Sequence, residues 1–162
     1  MKPKITKNKY CEIISNILEI PLPNLIYNDT ELSGTQLARI SIDEENKTTD
    51  IYLRENYESP LDFYFTIAHE LRHLWQMNSP DIENLYEQYK PSDELTLEEY
   101  NDQFLETDAN AFAVLIFEVL LGIGINIDIL NSVAVNKRKD EIITELVKTG
   151  KIAGNKKKKD TN

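Results

Sequence analysis

Among 162 residues there are only one cysteine and two histidines. A single thiol, Cys11, cannot close an internal disulfide, so nothing in the chain calls for an oxidising compartment. Two imidazoles confine any histidine chemistry to one small site. Long hydrophobic runs are missing as well. The most apolar stretch, Ala111 to Ile125, is about 15 residues long and contains Glu118, short of the roughly 18–20 residues of a membrane span. It reads as a buried helix. The basic start of the chain gives way to Glu12 and Glu19 with no small-residue cleavage site after them, so no secretory signal is read. The sequence predicts a cytoplasmic protein with no membrane span. Internal repeats are absent.

Positive charge is scarce where a nucleic-acid surface would need it. The net charge is −10, and residues 11–134 hold 24 acids against five bases. An acidic body repels phosphate backbones, which excludes nucleic-acid binding by the fold itself. The bases gather at the two ends, with Lys156–Lys159 the densest run. Residues 151–162 read as a basic, solvated, disordered tail. With 41 % hydrophobic and 28 % charged residues, the remaining 1–150 are expected to form a single domain with its own core.

Periodicity orders the elements. Thr6 to Ile20 has helical spacing and stops before Pro21. Leu25–Tyr27, Leu37–Ile42 and Asp50–Arg54 read as strands, the last two joined by a turn at Asn46-Lys47-Thr48, and together they suggest a small antiparallel sheet. Ser59, Pro60 and Asp62 open a helix that runs to about Met77. Residues 79–95 read as loop, with one helical turn around Ile82–Tyr89. Thr96 and Glu99 then open a second long helix, Leu97 to Leu121, ended by Gly122. A last helix spans roughly Ile127 to Thr149, with a break near Asn136. Strands early and helices late make an α+β fold, with the sheet packed on the Ser59 helix and the Thr96 helix beyond it.

Both histidines fall in one string, His69-Glu70-Leu71-Arg72-His73. Residues four apart on a helix project about 40° apart, so the two imidazoles can share one metal ion, and Glu70 beside them can hold the water that the metal activates. Two histidines placed at random fall four apart in roughly 1 % of arrangements, and a Glu after the first lowers that to about 0.1 %. Asp62, Thr66, Gln76 and Met77 share the His69 face, while Phe63, Tyr64, Ile67, Ala68, Leu71, Leu74 and Trp75 lie opposite.

A catalytic zinc takes three protein ligands and keeps one open position. With the histidines used, the third ligand is expected to be a carboxylate. Glu106 is the preferred one: it shares a face with Asn110, which can hydrogen-bond a ligating histidine and fix its tautomer. Asp102 and Asp108 are the alternatives, and Cys11 is a remote one. Asp108 points about 200° away from Glu106, so the two acids cannot both face the metal. Tyr57, Tyr86, Tyr89 and Tyr100 are equal candidates for an oxyanion partner.

The two strings, His69–His73 and Glu106-x-x-Ala109-Asn110-x-Phe112-Ala113, resemble the gluzincin metallopeptidases, and most of all the ImmA/IrrE-like metallopeptidases of bacteria, phages and mobile elements. The likeness covers roughly residues 60–118. It implies a compact zincin-like domain and an intracellular zinc peptidase holding one Zn2+ per chain through His69, His73 and Glu106. It implies Glu70 as the general base, Asn110 as the partner of a ligating histidine, and a protein or peptide substrate such as a transcriptional repressor. A zincin fold that binds and antagonises such a partner without cutting it is the alternative; an intact Glu70 weighs against it, since a purely structural site needs no general base.

Overall fold

Helix α1 (Lys7–Leu18) starts where the Thr6 hydroxyl accepts from the Lys9 amide, and it stops at Glu19, which adopts a left-handed conformation ahead of Pro21. Its inward face carries Tyr10, Cys11, Ile14 and Leu18, all buried. Cys11 is thus a small core side chain, and burial pushes its thiol up to about 11, far from reactive thiolate. The computed structural model describes residues 3–152 apart from Asn126 and Ile129, so Lys156–Lys159 and most of the expected tail lie outside the described residues.

The sheet is mixed, where the sequence suggested antiparallel. Strands β2 (Ala38–Asp43) and β3 (Thr48–Leu53) form the expected hairpin, but β1 (Asn24–Tyr27) pairs with β3 in parallel, giving the order β1-β3-β2. Residues 28–37 carry the chain over the end of the sheet and skip one strand position. The hairpin then returns β3 into that gap, alongside β1 and in its direction. Asn24 donates to Asp50 Oδ1 at one end of the parallel pair, and the Asn28 amide donates to the Leu53 carbonyl at the other. Ile51 and Leu53 of the central strand are fully buried. The arrangement leaves β2 on the outside of the sheet.

Helix α2 (Pro60–Met77) has the capping box that its sequence announces. The Ser59 hydroxyl accepts from the helix amides while Asp62 Oδ2 accepts from the Ser59 amide at 3.0 Å, so three orphan groups of the first turn are satisfied. Phe63, Ile67, Ala68 and Leu71 are completely buried. Residues 79–95 form a loop with two short 3-10 turns, Glu83–Gln88 and Ser92–Glu94.

The long helix expected over Leu97–Leu121 is broken into α3 (Leu97–Asn101), α4 (Phe104–Ile116) and a wide π turn, Phe117–Leu121, closed by Gly122 at φ 67°. No proline or glycine marks the break after Asn101. Gln103 takes an extended conformation there, and its amide pairs with the Lys90 backbone on both sides, at 2.8 and 3.0 Å. A tertiary contact sets the break, which periodicity cannot register. Every residue of α4 from Leu105 onward is buried. Helix α5 (Ser132–Lys148) begins at its Asn131 cap, later than Ile127, and runs without a break at Asn136.

The layers follow from these faces. Helix α2 packs on α1 and β2 on one side and on α4 on the other, and α4 in turn packs on α5. Among the described residues, no helix is long and apolar enough to cross a membrane. Because α2 is central and carries both histidines, its cap bears on the whole domain. Ser59→Ala removes the hydroxyl acceptor and should lower the unfolding free energy by about 1 kcal/mol, read from a shift of the urea midpoint at unchanged slope.

Candidate metal centre

Helices α2 and α4 cross so that Glu106 faces the two histidines of α2. His69 Nε2 lies 3.2 Å from Glu106 Oε2, His73 Nε2 lies 3.2 Å from Glu106 Oε1, and the two Nε2 atoms are 3.0 Å apart. All three donor atoms fall within 4.8 Å of one another. Glu106 is 1 % exposed and the histidines are mostly enclosed. Ala109 and Ala113, fully buried on the α4 side, leave room for the helices to come close.

The outer nitrogens of both rings also have oxygen partners. His69 Nδ1 lies 2.9 Å from Asn110 Oδ1. His73 Nδ1 lies 2.8 Å from Gln76 Oε1 and 3.2 Å from the Tyr86 hydroxyl. With an N–H on each Nδ1, the Nε2 lone pairs of both rings face the Glu106 carboxylate and each other. Two lone pairs 3.0 Å apart repel unless a proton or a cation lies between them. Ligands at about 2.0–2.1 Å around one tetrahedral zinc stand roughly 3.3 Å from each other, close to the spacing found here, so the donor set fits a zinc ion.

Glu70 is half-buried and lines an open cleft of about 610 Å3 together with His69, Asn110, Tyr100 and the segment Ser33–Ala38. Two residues past β3 hold that segment. Arg54 donates to the Gly34 and Gln36 carbonyls at 2.7 and 2.8 Å, and the Tyr57 hydroxyl donates to the Leu37 carbonyl at 2.9 Å. Tyr57 therefore serves the cleft wall. Tyr86 and Tyr89 stand behind the His69–His73–Glu106 cluster: Tyr89 donates to Glu106 Oε1 at 2.7 Å and shares a 2.6 Å hydrogen bond with Tyr100. Of the four tyrosines, Tyr100 is the one that lines the cleft.

The other carboxylates lie elsewhere. Asp102 is exposed at the end of α3. Asp108 is fully buried on the opposite flank of α4, where Arg72 and Arg138 hold it. Gln76 and the phenols of Tyr86 and Tyr89 bond to this cluster without having been expected there from the sequence. Gln76 was signalled by its place on the His69 face of the helical wheel, while Tyr86 and Tyr89 come from a loop that periodicity cannot fold.

Without a metal, protons hold the cluster together. Burial opposes charge on His73, but the Glu106 carboxylate against its Nε2 outweighs burial and raises its pKa to about 9. Burial likewise pushes Glu106 up, and the hydrogen bonds from both histidines outweigh it and hold the carboxyl well below the usual carboxylate range.

The His73 proton must leave when a metal binds Nε2. Zinc affinity should therefore rise about tenfold per pH unit up to about pH 9 and level off above it, as measured by chelator competition; a flat profile from pH 7 to 9 would contradict this. The metal-free fold shows the opposite trend. His73 is raised above its unfolded value near 6.5, so its contribution to stability is full below that pH and is lost as the pH rises through about 9. Glu106→Gln should weaken zinc binding by more than the roughly 10–100-fold typical of an outer hydrogen-bonding partner, and unchanged affinity would place the third ligand elsewhere.

Comparison with protein-family models, curated proteins and solved structures finds no match, so the functional reading rests on the residues and their geometry.

Proposed function

We propose that the chain is a zinc-dependent peptidase that hydrolyses peptide bonds in a protein or peptide substrate. The observation that carries this reading is the meeting of His69 Nε2, His73 Nε2 and the Glu106 carboxylate, with His69 and Glu70 lining an open cleft beside them. A zinc ion held by those three residues would polarise the substrate carbonyl and acidify a water molecule. Glu70 takes a proton from that water as its oxygen adds to the carbonyl carbon, and then gives the proton to the amine nitrogen as the C–N bond breaks. Asn110 and Gln76 keep the two imidazoles turned so that their Nε2 atoms stay directed at the ligand position.

The cleft suits an extended chain. Its wall, Ser33–Ala38, leads directly into β2, which among the described residues has β3 on one side and no strand on the other, so a substrate strand can align there by backbone hydrogen bonds. Beyond Leu37 and Phe65 the cleft continues into an apolar hollow of about 550 Å3, lined by Leu61, Phe117 and Ile123, which suits an apolar side chain of the substrate. The likeness of the two motifs to ImmA/IrrE-like metallopeptidases favours an intracellular protein or peptide substrate such as a transcriptional repressor.

Glu70→Gln separates catalysis from binding. The variant should keep its fold and about one zinc per chain by elemental analysis, and it should lose cleavage of a casein or repressor substrate by at least about 100-fold. Proteolysis at the wild-type rate would overturn the general-base assignment, and wild-type protein without zinc would overturn the metal site.

A further inference from the structure

The buried carboxylate of Asp108 lies outside the cluster of zinc ligands, yet hydrogen bonds connect it to one of them. Its Oδ1 accepts from Arg138 Nε at 2.7 Å and from Arg72 Nη2 at 3.0 Å; its Oδ2 accepts from Arg72 Nε at 2.7 Å and from Gln76 Nε2 at 2.7 Å. Three of these four bonds come from guanidiniums, which always carry charge and only donate, so the carboxylate they hold is ionised. An ionised carboxylate only accepts hydrogen bonds.

That fixes the amide of Gln76, which is fully buried. Its Nε2 faces Asp108 Oδ2 and the Leu105 carbonyl at 3.0 Å, both pure acceptors, so the amide cannot turn over without setting oxygen against oxygen twice. Gln76 Oε1 is therefore left facing His73 Nδ1 at 2.8 Å, with the Tyr86 hydroxyl donating to the same oxygen at 2.9 Å. An amide oxygen offers no proton, so Nδ1 must carry the hydrogen. Neutral His73 then has its lone pair on Nε2, the atom directed at Glu106. His69 has no equivalent chain behind it: among the described residues Asn110 Nδ2 is buried without a partner, so no second bond fixes that amide.

We propose that Asp108 is a positioning residue for the metal centre, holding His73 in its Nδ1–H form through Gln76. This rests on the reading of His69, His73 and Glu106 as zinc ligands only insofar as the tautomer serves a metal. Helix α5 thereby reaches the site as well, since Arg138 holds Asp108 from the far side of α4.

A double-mutant cycle on zinc affinity tests the relay. Asp108→Asn presents a side chain that can donate to Gln76 and so lets the Gln76 amide turn over; Gln76→Met cuts the link and leaves Asp108 with both arginines. Each single change should weaken zinc binding by about 10–100-fold, and the double variant should bind no more weakly than Gln76→Met alone. If Asp108→Asn costs the same factor in the Gln76→Met background, or nothing in the wild type, Asp108 does not act through Gln76. The tautomer itself is read without metal, by long-range 1H–15N NMR of the two imidazoles at about pH 10, and this keeps the relay testable if Asp108→Asn does not fold or if the chain takes no zinc. Wild type should show His73 in the Nδ1–H form and Gln76→Met a mixture of tautomers. An Nε2–H wild type, or a Gln76→Met variant with the wild-type tautomer, would overturn the proposal.

Discussion

The crossing of α2 and α4 depends on how two acids two residues apart on one buried helix find different partners. Glu106 and Asp108 project about 200° apart at roughly 100° per residue, so α4 cannot present both to the same flank of α2. Asp108 takes the flank of Arg72, and Glu106 the flank of His69 and His73. Turning α4 by a single residue would leave a fully buried carboxylate without its guanidiniums, which costs several kcal/mol. The Arg72–Asp108 pair thus sets the rotation of α4, and that rotation delivers Glu106 to the imidazoles. Gln76 sits between the flanks and bonds to both, to Asp108 on one side and His73 on the other.

The local parts of this arrangement were legible in the sequence. The capping boxes at Ser59 and Thr96, the placement of both histidines on the polar side of α2, and the opposite projection of Glu106 and Asp108 all follow from spacing alone. Long-range contacts were not legible. The parallel pairing of β1 with β3 depends on how residues 28–37 cross the sheet, and those residues have no periodicity. The break before α4 depends on Gln103 meeting the Lys90 backbone, a contact between segments 13 residues apart. Arg72 carried no signal of its partner either: an arginine between two histidines reads as a surface cation until α4 brings Asp108 to it, with Trp75 stacked 3.7 Å from the guanidinium.

The few bases of the acidic body are concentrated on structural tasks. Its three arginines each fix a piece of backbone or a carboxylate: Arg39 ties down Glu31 beside β2, Arg54 holds the cleft wall, and Arg72 holds Asp108. The planar, multiply donating guanidinium suits that work better than a lysine ammonium. None of the three pairs with Glu70 or Glu106. Both of those carboxylates act on His73 and help to raise its pKa. A divalent cation held by His69, His73 and Glu106 would answer them with more charge than a proton brings.

The loop of residues 79–95, poor in regular structure, is held against this centre by phenols. Burial pushes Tyr86 and Tyr89 well above the ordinary phenol range, with the nearby Glu106 charge adding to the effect, so both stay protonated and act as donors. Tyr86 completes Gln76 Oε1 and Tyr89 completes Glu106 Oε1. A carboxylate has about four lone-pair positions, so one phenol still leaves Glu106 free to meet both imidazoles. A buried hydroxyl without a partner would cost about 1–3 kcal/mol, and each of these two finds an acceptor in or beside the His69–His73–Glu106 cluster. The order of the loop and the donor geometry of the centre are therefore satisfied by the same hydrogen bonds, and neither can be rearranged without leaving the other incomplete.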